Sequence, residues 1–295
     1  MTKFLKYCLF ILISIILLLC LLDLLYTEVY KNAFPRNKTQ YILSLDENEK
    51  LDYVFLGSSR VENFVISSEI ENQTGRRTLN LGTQGAKLDD MTIFLRLLVE
   101  NKVKIERLFV QVDYIYNFES NSDIVRSQSL PYIRNNSVIK DYLKRVDADF
   151  HKNYYIPFYR YVTNDYRIGF REVIASAIDK KSNINFEDGF VPLNGIMRRN
   201  GVVGGLPKTI AESNKNIIEI DAICKANNIE VTYFCAPFCS GYKTSSYILK
   251  LKRKLPNFVD FSKAIPEHSL FQNCSHLNEE GALVFTNLLI KRLNL

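Results

Sequence analysis

Three short apolar runs constrain this chain most. Residues 53–56 (Tyr-Val-Phe-Leu), 77–81 and 107–112 are too short for helices, carry β-branched and aromatic side chains, and stop at Gly57, Gly82 and Asp113. That is the pattern of buried strands. Between them, residues 67–74 read as a helix closed by Gly75, and residues 87–101 keep a helical period through Leu88, Met91, Phe94, Leu95 and Leu98. Strand, helix, strand, helix, strand with short links predicts a parallel sheet wound by helices, its right-handed crossovers covering both faces. Further on, residues 208–227 read as a helix, 229–236 as a fourth strand, 246–254 as a cationic helix, 258–261 as a fifth strand and 278–292 as a terminal helix. The expected fold is a three-layer α/β/α domain around a five-stranded parallel sheet.

The sheet region is preceded by a different kind of segment. Residues 7–26 are apolar except for Ser14 and Asp23. About 20 residues make a helix of roughly 30 Å, enough to cross a hydrocarbon core. The run exceeds a normal signal-peptide core and no Ala-x-Ala-like site follows, so an uncleaved anchor is expected. Lys3 and Lys6 precede it, which places the amino end in the cytoplasm and the remainder outside. The domain plan is therefore an anchor at 1–26, a polar stalk at 27–50 and an α/β domain at 51–295, in a single-pass protein of the cytoplasmic membrane. An aromatic-rich insertion at about 118–206 shows no strand run and reads as short helices and loops over the sheet edge, either a structural cap or a substrate lid.

The net charge of +6 is spread among interspersed acids and bases, which argues against a nucleic-acid partner. Of the six cysteines, Cys8 and Cys20 lie in the apolar run and Cys224, Cys235, Cys239 and Cys274 in the body. Free buried thiols are the default reading, and a Cys239–Cys274 disulfide is the alternative that an exported location permits. A soft-metal cluster of Cys235, Cys239, Cys274 and His276 has neither zinc-knuckle spacing nor a single loop to carry it, so no metal or cofactor is expected.

The loops that leave the strands carry the chemistry. Gly57-Ser58-Ser59-Arg60 follows the first strand, and alone it is an ordinary strand-to-loop junction. The segment from Asn80 to Gly85 follows the second strand, with two glycines that let backbone amides approach a ligand. His276, one of only three histidines, stands just before the terminal helix. In a parallel sheet all three loops leave the same carboxyl edge, where open α/β folds bind their ligands. A hydroxyl, a base and free amides are the parts of a serine nucleophile site.

In these residues the chain resembles the SGNH (GDSL-type) hydrolases, whose fold is flavodoxin-like, and especially their membrane-anchored bacterial branch acting on cell-envelope polysaccharides. The resemblance spans roughly residues 51–113 and 229–292. It makes Ser59 of Gly57-Ser58-Ser59 the nucleophile, His276 of Asn273-Cys274-Ser275-His276-Leu277 the base, and the Gly85 and Ser59 amides the oxyanion hole. It implies an O-acyl (acetyl) esterase or O-acyltransferase with an acylated glycan as substrate and, for transfer, a multi-pass membrane protein as acyl donor. Two positions depart from the family pattern. The third-block asparagine is absent after the third strand, leaving the shifted Asn117 as a substitute donor. Asn273 stands where the acid of the triad belongs, so another carboxylate (Asp113 or Asp260) or a backbone carbonyl would have to orient His276, or the site is weakened and the protein is a glycan-binding accessory. Arg60 is assigned either to an anionic group of the substrate or to a salt bridge across the loop.

Overall fold

The computed structural model describes residues 2–197 and 204–295. The chain divides into two compact units, Met1–Gln40 with Asp123–Ser182, and Tyr41–Ser122 with Asn183–Leu295. Part of the glycine-containing stretch expected at 201–207 lies outside the described residues.

The first unit is helical. Helix α1 (Thr2–Asn32) contains the whole apolar run, is long and apolar enough to cross a membrane, and continues past Tyr26 to bury Thr27 and Tyr30. Short helix α2 (Lys38–Ser44) follows it. The rest of this unit is a chain of short helices: α6 (Asp123–Ser129), α7 (Ser137–Val146), α8 (Phe150–Tyr155), α9 (Tyr159–Thr163), α10 (Asp165–Ile168) and α11 (Phe170–Ala177). They pack on α1 through Tyr161, which stacks on Tyr30 and meets Tyr26, and through Tyr132, which donates to the Tyr30 carbonyl over 3.0 Å.

The second unit is the parallel α/β domain. Strands β1 (Lys50–Leu56), β2 (Thr78–Asn80), β3 (Lys104–Gln111), β4 (Glu230–Cys235) and β5 (Phe258–Asp260) form one sheet in the order β2-β1-β3-β4-β5, every pairing parallel. Helices α3 (Ser59–Glu62), α4 (Ser67–Thr74), α5 (Leu88–Glu100), α12 (Lys215–Ala226), α13 (Ser245–Lys254) and α14 (Glu279–Leu293) flank it. Phe55 pairs with Phe109 across β1 and β3, so the register itself stacks their rings at 4.7 Å. With Phe64, Phe234, Phe261 and Phe285 they form a wholly buried aromatic core. At about 25 cal/mol per Å² of apolar surface, each such ring contributes on the order of 3 kcal/mol. The strand order reverses between β1 and β3, which puts the ligand crevice of such a sheet beside Ser59 and Asp113.

Three elements differ from the sequence expectation. Helix α12 begins at Lys215, not 208, because the preceding segment is held elsewhere: Asn214 caps the helix through Asn216 N and donates to the Tyr116 and Phe118 carbonyls at 2.9 and 3.0 Å. The His276 loop is a small antiparallel hairpin, β6 (Phe271–Asn273) with β7 (His276–Leu277), in which Asn273 and His276 are register partners. The α4 helix, whose Ser67-Ser68-Glu69-Ile70-Glu71 opening has the composition of a capped helix start, begins without a side-chain cap, its N-cap being Ile66.

Candidate active site

The turn that carries Ser58 and Ser59 is fixed by a buried polar chain. Ser58 caps α3, its Oγ accepting from Arg60 N at 3.3 Å while donating to Gln111 Oε1 at 2.8 Å. The Ser58 amide donates to the same oxygen at 3.1 Å. Gln111 Nε2 donates to Asp113 Oδ2 at 2.9 Å, and Arg60 Nη1 meets that oxygen at 2.6 Å. Arg60 Nη2 then donates to the Ala236 and Pro237 carbonyls, and the guanidinium lies over the Phe238 ring, 3.7 Å from its centroid. Every charge in this chain has a partner, as burial demands. It ties the ends of β1, β3 and β4 into one rigid floor and leaves Ser59 as the first helical residue above it.

Gly82 permits the neighbouring loop to close on that turn. A Cβ there would collide with the backbone of Val61 and Glu62 in α3. Beyond it Gly85 sits at φ +71°, a left-handed conformation that glycine adopts without strain. Among the described residues neither the Gly85 nor the Ser59 amide donates to a protein acceptor. Both residues line a cavity of about 420 Å³ together with His276, Lys87 and the aromatic side chains of Tyr114, Phe118 and Tyr242.

Ser59 Oγ and His276 Nε2 are 2.8 Å apart. The other ring nitrogen, Nδ1, lies 3.1 Å from Asn273 Oδ1 and 3.2 Å from Ser275 Oγ. Asn273 Oδ1 accepts from the Ser275 amide at 3.0 Å, and its Nδ2 donates to Gln272 Oε1 at 2.6 Å. A backbone N–H can only donate, so the amide is oriented with its oxygen toward the histidine. Nδ1 then carries the proton, and Nε2 is free to accept from the serine hydroxyl. The asparagine thus performs the orienting half of the acid's task. It supplies no charge for the imidazolium that forms, the half a carboxylate provides.

Burial against Phe64, whose ring meets the imidazole edge-on at 6.2 Å, and the positive charge of Arg60 hold the His276 pKa below its usual 6.5. Because the base must be neutral to take the serine proton, its activity is lost only when pH falls through this lowered pKa. The acid limb of kcat/KM is therefore expected to have its midpoint below 6.5. A pH–rate profile measures it, and a midpoint at or above that value contradicts the geometry.

Several sequence assignments are corrected by these contacts. Arg60 is not available to a substrate anion, since it is 4% exposed and paired with Asp113. Asp113 is consumed by the same pair and by Ile115 N, so it does not orient His276. Asp260 accepts from Ser262 N instead. Asn117 is not an oxyanion donor: its Nδ2 donates to the Thr209 carbonyl at 3.0 Å, and its Oδ1 accepts from Ala211 N and the Tyr247 hydroxyl. It anchors residues 209–211, which is why that segment is not helical. Ser275 and Gln111 are site residues that the sequence reading passed over. Gln111 carried a usable signal, a buried amide inside the apolar strand Leu-Phe-Val-Gln-Val.

Cys239 and Cys274 form a disulfide, with Cα atoms 4.8 Å apart, against the default reading of free thiols. Cys239 N also donates to the Cys274 carbonyl at 3.0 Å. Cys274 lies between Asn273 and Ser275, so the bond clamps the hairpin that carries His276. Opening it is expected to cost about 3 kcal/mol of stability and to slow the Ser59 reaction. Thermal unfolding and turnover of the Cys239→Ser/Cys274→Ser variant check this, and unchanged values of both contradict it. Cys224 and Cys235 are free and buried; burial pushes the Cys224 thiol up to about 12 and the Cys235 thiol up as well, which leaves both unreactive.

No known protein-family profile and no curated protein matches the chain. Among solved structures it is similar to a gut microbial diltiazem-metabolizing enzyme at 15% sequence identity and a TM-score of 0.30, over 85% of this chain and 48% of that one. The chain spans about half the length of that structure.

Proposed function

We propose that the protein is a serine-dependent O-acyl esterase or O-acyltransferase of SGNH type, acting through Ser59 and His276 on an acylated cell-envelope polysaccharide. The observation that carries this reading is the 2.8 Å approach of Ser59 Oγ to His276 Nε2 beside two unpartnered amides. In the first step His276 Nε2 takes the hydroxyl proton as Ser59 Oγ attacks the ester carbonyl. The oxyanion is held by the Ser59 and Gly85 amides, each worth about 3 kcal/mol in the transition state. The imidazolium returns the proton to the departing alkoxide, leaving an acyl-serine. A water or a sugar hydroxyl then gives its proton to His276 as its oxygen bonds the acyl carbon, and the imidazolium returns the proton to Ser59 Oγ as the acyl–serine bond breaks. Tyr114, Phe118 and Tyr242 supply apolar faces on which a sugar ring can stack. The protein is held in the cytoplasmic membrane by α1 with its catalytic unit outside, and a multi-pass acyl donor is the partner that transfer would require.

The amide at position 273 weakens the base toward either acceptor, because without a carboxylate the imidazolium is less stabilised whether water or a sugar hydroxyl is deprotonated. Asn273→Asp is therefore expected to raise hydrolysis of a simple acetyl ester by roughly tenfold or more and to move the acid limb to higher pH. Steady-state and burst kinetics of the two proteins read this directly. Unchanged hydrolysis means the amide is no handicap to the base. A protein that shows no burst in either form, yet binds glycan, supports the glycan-binding accessory reading that Asn273 also allows.

A further inference from the structure

The first unit carries a second surface with a chemistry of its own. Asp23 lies within the apolar run yet is 2% exposed. Its Oδ1 accepts from Arg160 Nη2 at 2.6 Å and Arg134 Nη1 at 3.1 Å, and its Oδ2 accepts from the Phe158 amide at 2.6 Å. Thr27, one turn on, accepts from Arg160 and bonds the Tyr161 hydroxyl, each at 2.8 Å. These bonds pin residues 155–161 against α1 at a defined height. Asp23 is three residues before the end of the apolar run, about 4.5 Å at the rise of an α-helix. Helix α11 is held further along the chain from Asp23: Ser176 and Ala177 share a groove with Leu25, Val29 and Ala33, and Glu172 pairs with Arg36, past the end of α1, at 2.6 Å.

What these pinned elements present outward is apolar. Tyr155 is 69% exposed and Ile156 follows it; Phe170, Ile174 and Ile178 form an i, i+4, i+8 stripe on the outer face of α11, with Val173 and Ser176 turned inward. Arg171, Lys180 and Lys181 are exposed beside the stripe. A soluble surface of this size would not gather large apolar side chains together. Aromatic and aliphatic groups edged by cations are the composition of a segment lying in the headgroup–acyl boundary.

We propose that Tyr155, Ile156, Val162, Phe170, Ile174 and Ile178 form a collar seated in the lipid interface of the bilayer that α1 crosses, with its cations toward anionic headgroups. The occupant is lipid because residues 158–161, which link Ile156 to Val162 in the first part of the collar, are bonded to Asp23 and Thr27 of α1 where the apolar run ends and where Leu21, Leu24 and Leu25 are themselves exposed. The inference rests on α1 crossing a membrane and is independent of the chemistry assigned to Ser59. It makes the segment 123–182 a device that fixes the height and tilt of the first unit at the membrane.

The chain has no tryptophan, so single substitutions give clean depth reporters. The full chain, as Tyr155→Trp, Phe170→Trp or Leu17→Trp, is reconstituted in phosphatidylcholine vesicles containing phosphatidylglycerol, with and without lipid brominated on the acyl chain. The collar reporters are expected to emit blue-shifted and to lose about half their emission to bromine, as does the reporter in the middle of α1, while N-acetyltryptophanamide in the buffer is untouched. Collar reporters that emit as in water, with Leu17→Trp quenched, overturn the collar and leave the crossing intact. Blue-shifted but unquenched collar reporters assign the face to protein, a second copy of the chain, and overturn it too. If Leu17→Trp is also unquenched, the crossing fails and the collar with it.

Discussion

Ser59→Ala is expected to abolish acyl-serine formation and to lower ester turnover by about 10³-fold or more, with the fold unchanged. Ser59 Oγ makes one hydrogen bond, to His276 Nε2. The residue is only half-buried, so removing the oxygen opens no large cavity and strands no buried donor. The neighbouring Ser58 cannot substitute, because its hydroxyl is committed to Gln111 and to the Arg60 amide. Ser58→Ala should therefore separate from Ser59→Ala: it removes a cap worth about 1 kcal/mol and leaves an acyl-serine detectable. Intact-mass measurement after mixing with an activated acetyl ester distinguishes the two, and an adduct that survives in Ser59→Ala contradicts the assignment.

Arg60→Leu is expected to be the most destabilising single change in the site. It leaves Asp113, which is 1% exposed, as an unpaired buried carboxylate. Breaking such a pair costs about 3–5 kcal/mol, which corresponds to a fall in Tm of roughly 10 °C for a unit of this size. It also releases the Ala236 and Pro237 carbonyls that fasten β4 to the nucleophile turn. Arg60→Leu combined with Asp113→Leu should recover a large part of the loss, since the orphaned charge is then gone. Thermal unfolding followed by circular dichroism reads both variants. If Arg60 instead held a substrate anion, Arg60→Leu would raise KM with Tm unmoved.

The parts of the fold that were legible in the sequence are those with a period. Residues 53–56 and 108–112 alternate nothing and are wholly buried, as strands covered on both faces must be, and they emerge as the ends of β1 and β3 with Phe55 against Phe109. The loops at one sheet edge then followed from topology alone, and Ser59, Gly85 and His276 do line one cavity. What could not be read was set by contacts between distant residues. Arg60 and Asp113 are 53 positions apart, so the sequence offers a salt bridge for Arg60 but not its partner. The β6–β7 hairpin is too short to have a pattern, so Asn273 read as a defect when its oxygen in fact faces Nδ1. Asn117 had the right residue type in nearly the right place. Its amide was claimed by Thr209 and Ala211, which sequence distance concealed.

The central claim is that Ser59 is a nucleophile activated by His276, and fluorophosphonate labelling tests it most directly. The full chain is treated with the probe across a pH series, digested, and the adduct located by mass spectrometry. One adduct is expected, on Ser59, whose rate of formation falls on the acid side with a midpoint below pH 6.5, and which is lost in His276→Ala. An unlabelled protein, an adduct on Ser58 or Ser275, or labelling indifferent to His276 would contradict it.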